Sequence, residues 1–160
     1  AQGVRAFGDS HHATLGWHSS KVTPGAWLSL TVEFPQEVEL GSVKAHTGHS
    51  GYYHPARQVQ IERRCVCGSS DVGGCATAKG SCGAAKPGDS AFEFVRRVDA
   101  SPDQLVAFPA TMARVWKIAL RTPAASEQAI TPGYVHVRGL RFFRPDGAEI
   151  FPARVVPPGE

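Results

Sequence analysis

The sequence lacks several features that would point to common classes of function. It contains no asparagine, so it has no Asn-X-Ser/Thr acceptor for N-linked glycosylation. No apolar run approaches the roughly 20 residues that a transmembrane helix requires, so we expect no membrane span. The basic residues are mostly arginines spread along the chain and the net charge is only +3, so no nucleic-acid partner is expected.

Motifs of nucleophilic and metal-dependent catalysis are also missing. The chain has no Gly-X-Ser-X-Gly elbow and no His-Glu-X-X-His pair. Asp9, Ser10 and His11 are adjacent in sequence, but adjacency is no guide to the geometry of a catalytic triad. We therefore expect that the protein is not an enzyme.

The composition predicts one all-β domain. The chain has 160 residues, of which 42% are hydrophobic and 19% charged, as suits a domain with a substantial core. Its twelve prolines and seventeen glycines fall between short apolar runs. We predict a β-sandwich over residues 1–152, with a Cys-rich loop at 65–89 and a proline-rich tail or linker at 153–160. The chain begins at Ala1 rather than at methionine, as a processed or excised domain would.

The strand pattern predicts which loops share an end of the sheet. Trp27–Phe34 alternates apolar and polar residues. A turn at Pro35-Gln36 leads to Val38–Ala45, and Gln58–Arg64 follows. If these strands pair in sequence, the loops before Trp27 and after Ala45 emerge together, and the Cys-rich loop lies at the opposite end. Other short strands are predicted at Val4–Phe7, Ala91–Val95, Gln104–Phe108, Ala113–Leu120, Tyr134–Phe143 and Glu149–Phe151.

The stretch His46–Arg57 carries more functional groups than a turn requires. Its twelve residues hold three histidines, two tyrosines and an arginine, with no aspartate or glutamate. Sugar recognition needs planar polar partners for hydroxyl groups and an aromatic face, whereas glycoside cleavage needs two carboxyl groups. This loop and the one before Trp27 hold six of the seven histidines, namely His11, His12, His18, His46, His49 and His54.

Three segments in this order resemble the discoidin, or coagulation factor 5/8 C-type, domain family. They are GWHSS…PGAWLSLTVEFPQEVELGSVKAHTG, FPATMARVWKIAL and YVHVRGLRFF, and the match runs from about Gly8 to Phe143. The resemblance implies a galactose-binding-like β-sandwich (jelly roll) of about eight antiparallel strands. It also implies a noncatalytic module whose loops at one end hold the ligand. Members commonly bind sugars, and some bind phospholipid headgroups or proteins.

The resemblance has consequences for particular residues. Trp17 and Trp27 stand where the family has tryptophans that are largely structural. Many members hold calcium through an acidic loop near the first strands. The segment around Asp9 resembles that loop, so Asp9 is the predicted calcium ligand. The family also has an acidic residue in its last strand, where this sequence has Arg138-Gly139, which puts calcium in doubt. The spacing of histidine and arginine residues expected of fucose lectins is not found in this sequence, so the resemblance does not imply fucose binding.

We predict an extracellular or cell-surface module that binds a glycan or glycoconjugate. One of two tyrosines stacks on the sugar while histidines and an arginine bind its hydroxyls, the predicted ligand residues being His18, His49, Tyr52, Tyr53, His54 and Arg57. Alternatively, the tyrosines plug the end of the sandwich while the histidines cap backbone groups or hold a metal. The alternative function is a protein-interaction or assembly domain of a larger extracellular protein. The partner is then another protein or another domain of the same polypeptide.

Four cysteines lie close together in the chain and nowhere else, at Cys65, Cys67, Cys75 and Cys82. In an exported protein this spacing predicts two local disulfides that brace a Gly-rich loop. Cys65 and Cys67 are expected to bond Cys75 or Cys82, with Cys65–Cys82 and Cys67–Cys75 preferred because they nest in a hairpin. A structural zinc on the four thiolates is the alternative.

Two pairs of adjacent arginines are candidates for a basic patch that binds an acidic or sulfated polysaccharide. Arg63-Arg64 and Arg96-Arg97 both lie in predicted strands or at their ends. Neighbouring side chains on a strand point to opposite faces, so each pair is expected to offer one outward charge. For both pairs we favour the interpretation that the arginines are solvated charges at the edge of a sheet.

Overall fold

The described part of the chain is made of strands. The structure is a computed structural model that describes residues 17–19, 22–48, 55–75, 82–83, 86–101, 103–124, 133 and 135–158. Among these residues no helix is long and apolar enough to cross a membrane. Its eight strands are β1 Trp17–His18, β2 Trp27–Thr47, β3 Gln58–Val66, β4 Ser90–Asp99, β5 Asp103–Arg121, β6 His136–Phe143, β7 Glu149–Ile150 and β8 Arg154–Val156.

Two long strands, β2 and β5, run through both layers of the sandwich. They pair antiparallel from Trp27↔Arg121 to His46↔Asp103, with register shifts between Glu33 and Val38 and between Leu40 and Ser42. The first half of β2 and the second half of β5 form one layer with β3, β4 and β8. The other halves form the second layer with β6, to which β1 and β7 are added. The strand pairs are all antiparallel, as predicted.

Alternating apolar residues fill the space between the layers. In β2 the side chains of Leu30, Val32 and Phe34 are buried while their neighbours are not, because successive side chains of a strand face opposite ways. Phe34 meets Phe142 of the second layer edge-on, with ring centroids 5.4 Å apart. The largest fully buried side chain is Trp116.

Two details differ from the sequence expectations. Pro35 and Gln36 lie inside the continuous strand β2, at its register shift, rather than in a turn between strands. Arg154–Val156, assigned to the tail, form β8 and pair with Thr31–Glu33. Because Val155 is only 1% exposed and belongs to the core, the sheet extends beyond the boundary predicted at residue 152.

Candidate functional site

The loops before Trp27 and after Thr47 emerge at one end of the sandwich. Thr122 donates its backbone N–H to the carbonyl of Ala26 at 2.9 Å, and Arg57 donates to Arg121 at 2.9 Å. The backbone N–H of Ala56 bonds Oγ1 of Thr47 at 3.1 Å. These bonds bring together the segments next to the start of β2, the end of β2, the start of β3 and the end of β5, since Thr122 directly follows Arg121. We call the end marked by Ala26, Thr47, Arg57 and Arg121 the rim.

Two further connections complete the rim. Gly48 donates its backbone N–H to the carbonyl of His136 at 2.8 Å, and Ala100 donates to the carbonyl of Arg57 at 2.9 Å. Thr47 and Ala56 are almost completely buried, so their hydrogen bond closes the neck of the loop between β2 and β3. The two described ends of this loop are therefore joined at its base.

The structure places two of the predicted ligand residues. His18 lies in β1, where its backbone pairs with His136, and Arg57 lies at the foot of the loop, half-buried. His49, Tyr52, Tyr53 and His54 lie outside the described residues, as does Asp9, the predicted calcium ligand. Their roles remain predictions, but the described residues bring the segments that carry His18 and Arg57 to the rim.

A cluster that the sequence did not reveal lies on the side of the second layer that faces away from the core. Nδ1 of His46 is 2.8 Å from Oδ1 of Asp103, and Nη2 of Arg138 is 2.6 Å from the same oxygen. His46 was recognised only as part of the histidine-rich loop. Asp103 directly precedes the predicted strand Gln104–Phe108, and its proximity to His46 follows from the register of β2 on β5, which the sequence does not display.

Burial and charge set the protonation states in this cluster. Burial lowers the pKa of His46 below its usual value of 6.5, although the Asp103 carboxylate opposes the shift. The hydrogen bond from His46, followed by the charge and hydrogen bond of Arg138, lowers the pKa of Asp103 despite its partial burial. At neutral pH the imidazole is therefore neutral and the carboxylate, 55% exposed at its side chain, is ionised.

Arg138 also bears on the calcium expected from the family resemblance. Calcium prefers carboxylate and carbonyl oxygens, whereas β6 offers a guanidinium that is bound to Asp103. Within the described ranges, each cluster of three or more His, Cys, Asp or Glu ligand atoms contains cysteine. Calcium therefore stays a prediction, and its predicted ligand Asp9 lies outside the described residues.

The four cysteines form disulfides, and the preferred nested pairing is wrong. Cys65 bonds Cys75 and Cys67 bonds Cys82, so the two links cross in sequence. The physical reason is the direction in which the chain returns. Val66 and Gly74 form a parallel bridge, rather than the antiparallel hairpin on which nesting depended. In this arrangement the Cα atoms of Cys65 and Cys75 lie 5.0 Å apart.

A buried arginine, missed by the sequence analysis, anchors this loop at the end away from the rim. The guanidinium of Arg63 donates to the carbonyls of Val72, Gly74 and Met112. Its neighbour Arg64 is exposed, so the first arginine pair offers one outward charge, as predicted. Arg96 and Arg97 are both exposed, because β4 is an edge strand of its sheet, and there the prediction was wrong.

Comparisons with known proteins support the fold assignment. A chain from work on the Streptococcus pneumoniae β-galactosidase BgaA is 18% identical with a TM-score of 0.57, covering 88% of this chain and 86% of that chain. The CBM32 of AlyQ, solved with 4,5-unsaturated mannuronic acid, is 11% identical with a TM-score of 0.48, covering 88% and 84%. No family model and no curated protein sequence matches the chain. The strand order and the first of these similarities show an antiparallel β-sandwich with the jelly-roll fold.

Proposed function

We propose that this domain is a noncatalytic carbohydrate-binding module that holds a polar glycan at the rim. The observation that carries the proposal is that the described ends of the two histidine-rich loops share one base, through the bond between Arg57 and Arg121 and the bond between Thr122 and Ala26. Guanidinium groups and neutral imidazole rings are suitable hydrogen-bond partners for sugar hydroxyls. An aromatic side chain is suitable for stacking on the apolar face of a sugar ring.

Each predicted ligand residue has a role in this proposal. Tyr52 or Tyr53 supplies the stacking face, and the other groups bind hydroxyls. Arg57 stands where the loop rejoins the sandwich, so its backbone is held by hydrogen bonds on both sides, to Arg121 and Ala100. The hydroxyl-binding residues are His18, His49, His54 and Arg57.

The carboxyl groups argue for binding rather than cleavage. A glycosidase needs a pair of carboxyl groups, one of them a general acid with a raised pKa. The loop between β2 and β3 contains no carboxyl group. Asp103, which lies beside the rim, has a lowered pKa because it accepts hydrogen bonds from His46 and Arg138. It is thus an acceptor rather than a proton donor at neutral pH.

The disulfides support an extracellular or cell-surface location. Two crossing disulfides brace a loop that is rich in glycine, and such bonds persist mainly in oxidising compartments. The module would meet glycans there, on cell surfaces or in secreted material.

A second candidate function, protein interaction or assembly, is favoured by one observation. Phe94 is 57% exposed and lies on β4, which ends the strand order of its sheet. An edge strand with an exposed aromatic side chain suits pairing with another polypeptide. This candidate predicts a binding surface on β4, remote from the histidine-rich loops.

A glycan array separates the two functions. The wild-type domain is compared with a Tyr52→Ala/His54→Ala double variant and with Phe94→Ala, all verified as folded by thermal melting. Our proposal expects glycan binding that the double variant loses and Phe94→Ala retains. A folded wild type that binds no glycan would rule out the proposal.

A further inference from the structure

The outer face of the first layer carries an ordered set of polar and aromatic side chains. In β2 the residues between the buried ones point outward, and cross-strand register aligns them into rows. The row nearest the rim consists of Trp27, Arg121, Gln58 and Asp99, and the next consists of Ser29, Ala119, Gln60 and Arg97. We call these two rows the outer face.

Hydrogen bonds hold the planar side chains of the outer face in place. Nε of Arg121 donates to Oε1 of Gln58 at 3.0 Å, and Nε2 of Gln58 donates to Oδ1 of Asp99 at 3.1 Å. In the second row Nε of Arg97 donates to Oε1 of Gln60 at 2.7 Å. Each glutamine is thereby fixed in orientation, which lowers the entropy lost when these groups bind a ligand.

Trp27 and Arg97 span the width of this face. They lie on β2 and β4 with two strands between them, a backbone separation of about 14 Å at ordinary strand spacing. Nevertheless, Cζ of Arg97 is 5.1 Å from the centroid of the Trp27 ring. Both side chains must therefore lie along the sheet rather than stand away from it. Ala119, between them, contributes only a methyl group to the floor.

The outer face offers the chemistry that a sugar chain requires. Trp27 is 37% exposed, although the family resemblance implies a largely structural residue, and Arg97 has no described partner besides Gln60 and the indole. Glu62, which lies in the next row beside Lys117, accepts from Gln60 at 3.2 Å. Arg97, Arg121 and Lys117 therefore alternate with Asp99 and Glu62, and the excess is one positive charge.

The outer face begins where the rim ends. Trp27 directly follows Ala26, and Gln58 directly follows Arg57, whose backbone bonds define the rim. The first row of the outer face therefore adjoins the rim, within reach of a ligand that extends from it.

We propose that the outer face is an extended subsite for a neutral oligosaccharide whose terminal sugar is held at the rim. The inference rests on the proposed function, since the rim supplies the first contact. Later sugars of the chain pack against the part of Trp27 that stays exposed beside Arg97, and they bond the Arg97 guanidinium and the glutamine amides. A neutral chain is the proposed ligand because Asp99 and Glu62 stand among the basic groups: they accept hydrogen bonds from hydroxyls, whereas they would repel carboxylates placed next to them.

The test compares chain lengths by isothermal titration calorimetry. The probes are galactose, mannose and glucose, the linear oligosaccharides of each, and oligogalacturonate as the acidic comparison. We expect at least one neutral series to bind at least about tenfold more tightly as an oligosaccharide than as a monosaccharide, a gain of the size that one aromatic platform with its polar partners supplies. Trp27→Ala and Arg97→Ala should remove that gain and leave the monosaccharide affinity unchanged.

Matched controls and outcomes keep the inference separate from the proposed function. Phe151→Ala removes another exposed aromatic side chain and Arg96→Ala the adjacent exposed arginine, and both should keep the gain. Arg97→Ala remains decisive if Trp27→Ala does not fold. A gain that survives in Arg97→Ala, a gain confined to oligogalacturonate, or no gain with length overturns the outer-face subsite and leaves the rim intact. A wild type that binds none of the sugars overturns both proposals.

Discussion

Arg57 donates its backbone N–H to the carbonyl of Arg121 over 2.9 Å, and through this bond the loop between β2 and β3 is fastened to the last residue of β5. The same β5 end holds Ala26 through Thr122. Two loops far apart in the chain therefore share one base, and the side chains they carry face a common ligand in the function we propose.

Thr47→Val tests the neck of that loop. The substitution keeps the size of the side chain but removes the hydroxyl oxygen that accepts from Ala56 at 3.1 Å. A buried N–H without a partner costs about 1–3 kcal/mol, and we expect a loss of unfolding free energy of that size in urea denaturation. Thr31→Val, at a half-buried position of the same strand, should change stability by less than about 0.5 kcal/mol. Equal stability of Thr47→Val and wild type would contradict the role of the neck.

Arg63→Ala tests the anchor of the Cys-rich loop. Three backbone carbonyls would lose the guanidinium donor that Arg63 gives them, so we expect the unfolding free energy to fall by at least about 2 kcal/mol. Arg64→Ala is the matched control, because this neighbour is exposed and should cost less than about 0.5 kcal/mol. Comparable losses from the two substitutions would show that Arg63 is not an anchor.

The cysteine pairing is decided by mass spectrometry. Nonreducing peptide mapping should recover Cys65 linked to Cys75 and Cys67 linked to Cys82, and iodoacetamide should label no thiol before reduction. Full reduction should then destabilise the domain by about 2–5 kcal/mol. Four labelled thiols together with one equivalent of bound zinc would instead support the thiolate zinc site.

Stability should fall on acidification because of the cluster around Asp103. The folded-state pKa of His46 lies below 6.5, so unfolding takes up a proton and stability is lost as the pH falls from about 7 through that lowered pKa. The pKa of Asp103 is lowered from 3.8, so its contribution disappears in a second window below that value. Because Asp103 is more than half exposed, solvent screening keeps its share small.

His46→Gln isolates the first of these windows. The variant should lose less unfolding free energy than the wild type between pH 7 and pH 5, as measured by urea denaturation at each pH. An identical pH dependence in the two proteins would mean that the histidine is not held neutral by burial.

Local pattern was sufficient for the fold but not for the contacts that pair distant residues. The alternation in Trp27–Phe34 identifies the inward face without further information, and the order of loops follows from antiparallel pairing. By contrast, the contact of Asp103 with His46 depends on register, since a shift by one residue would turn the side chain to the other face. The disulfide pairing depended on a parallel return at Gly74, which no residue pattern marks. Burial of Arg63 likewise depends on carbonyls supplied by two other segments.

The amino-acid composition of the loop after Thr47 was sufficient to propose a glycan as the ligand at the rim. The histidines and tyrosines of the loop after Thr47 are visible in the sequence, whereas the outer face is not. Trp27, Gln58, Gln60 and Arg97 come from three strands and become neighbours only through the pairing of β2, β5, β3 and β4.

Glycan binding by the folded wild-type domain, measured on an array beside Tyr52→Ala/His54→Ala, tests the central claim most directly. The account predicts at least one polar glycan bound by the wild type and lost in the double variant while both proteins melt cooperatively. A cooperatively folded wild type that binds no glycan, or a double variant that binds as tightly as the wild type, would contradict it.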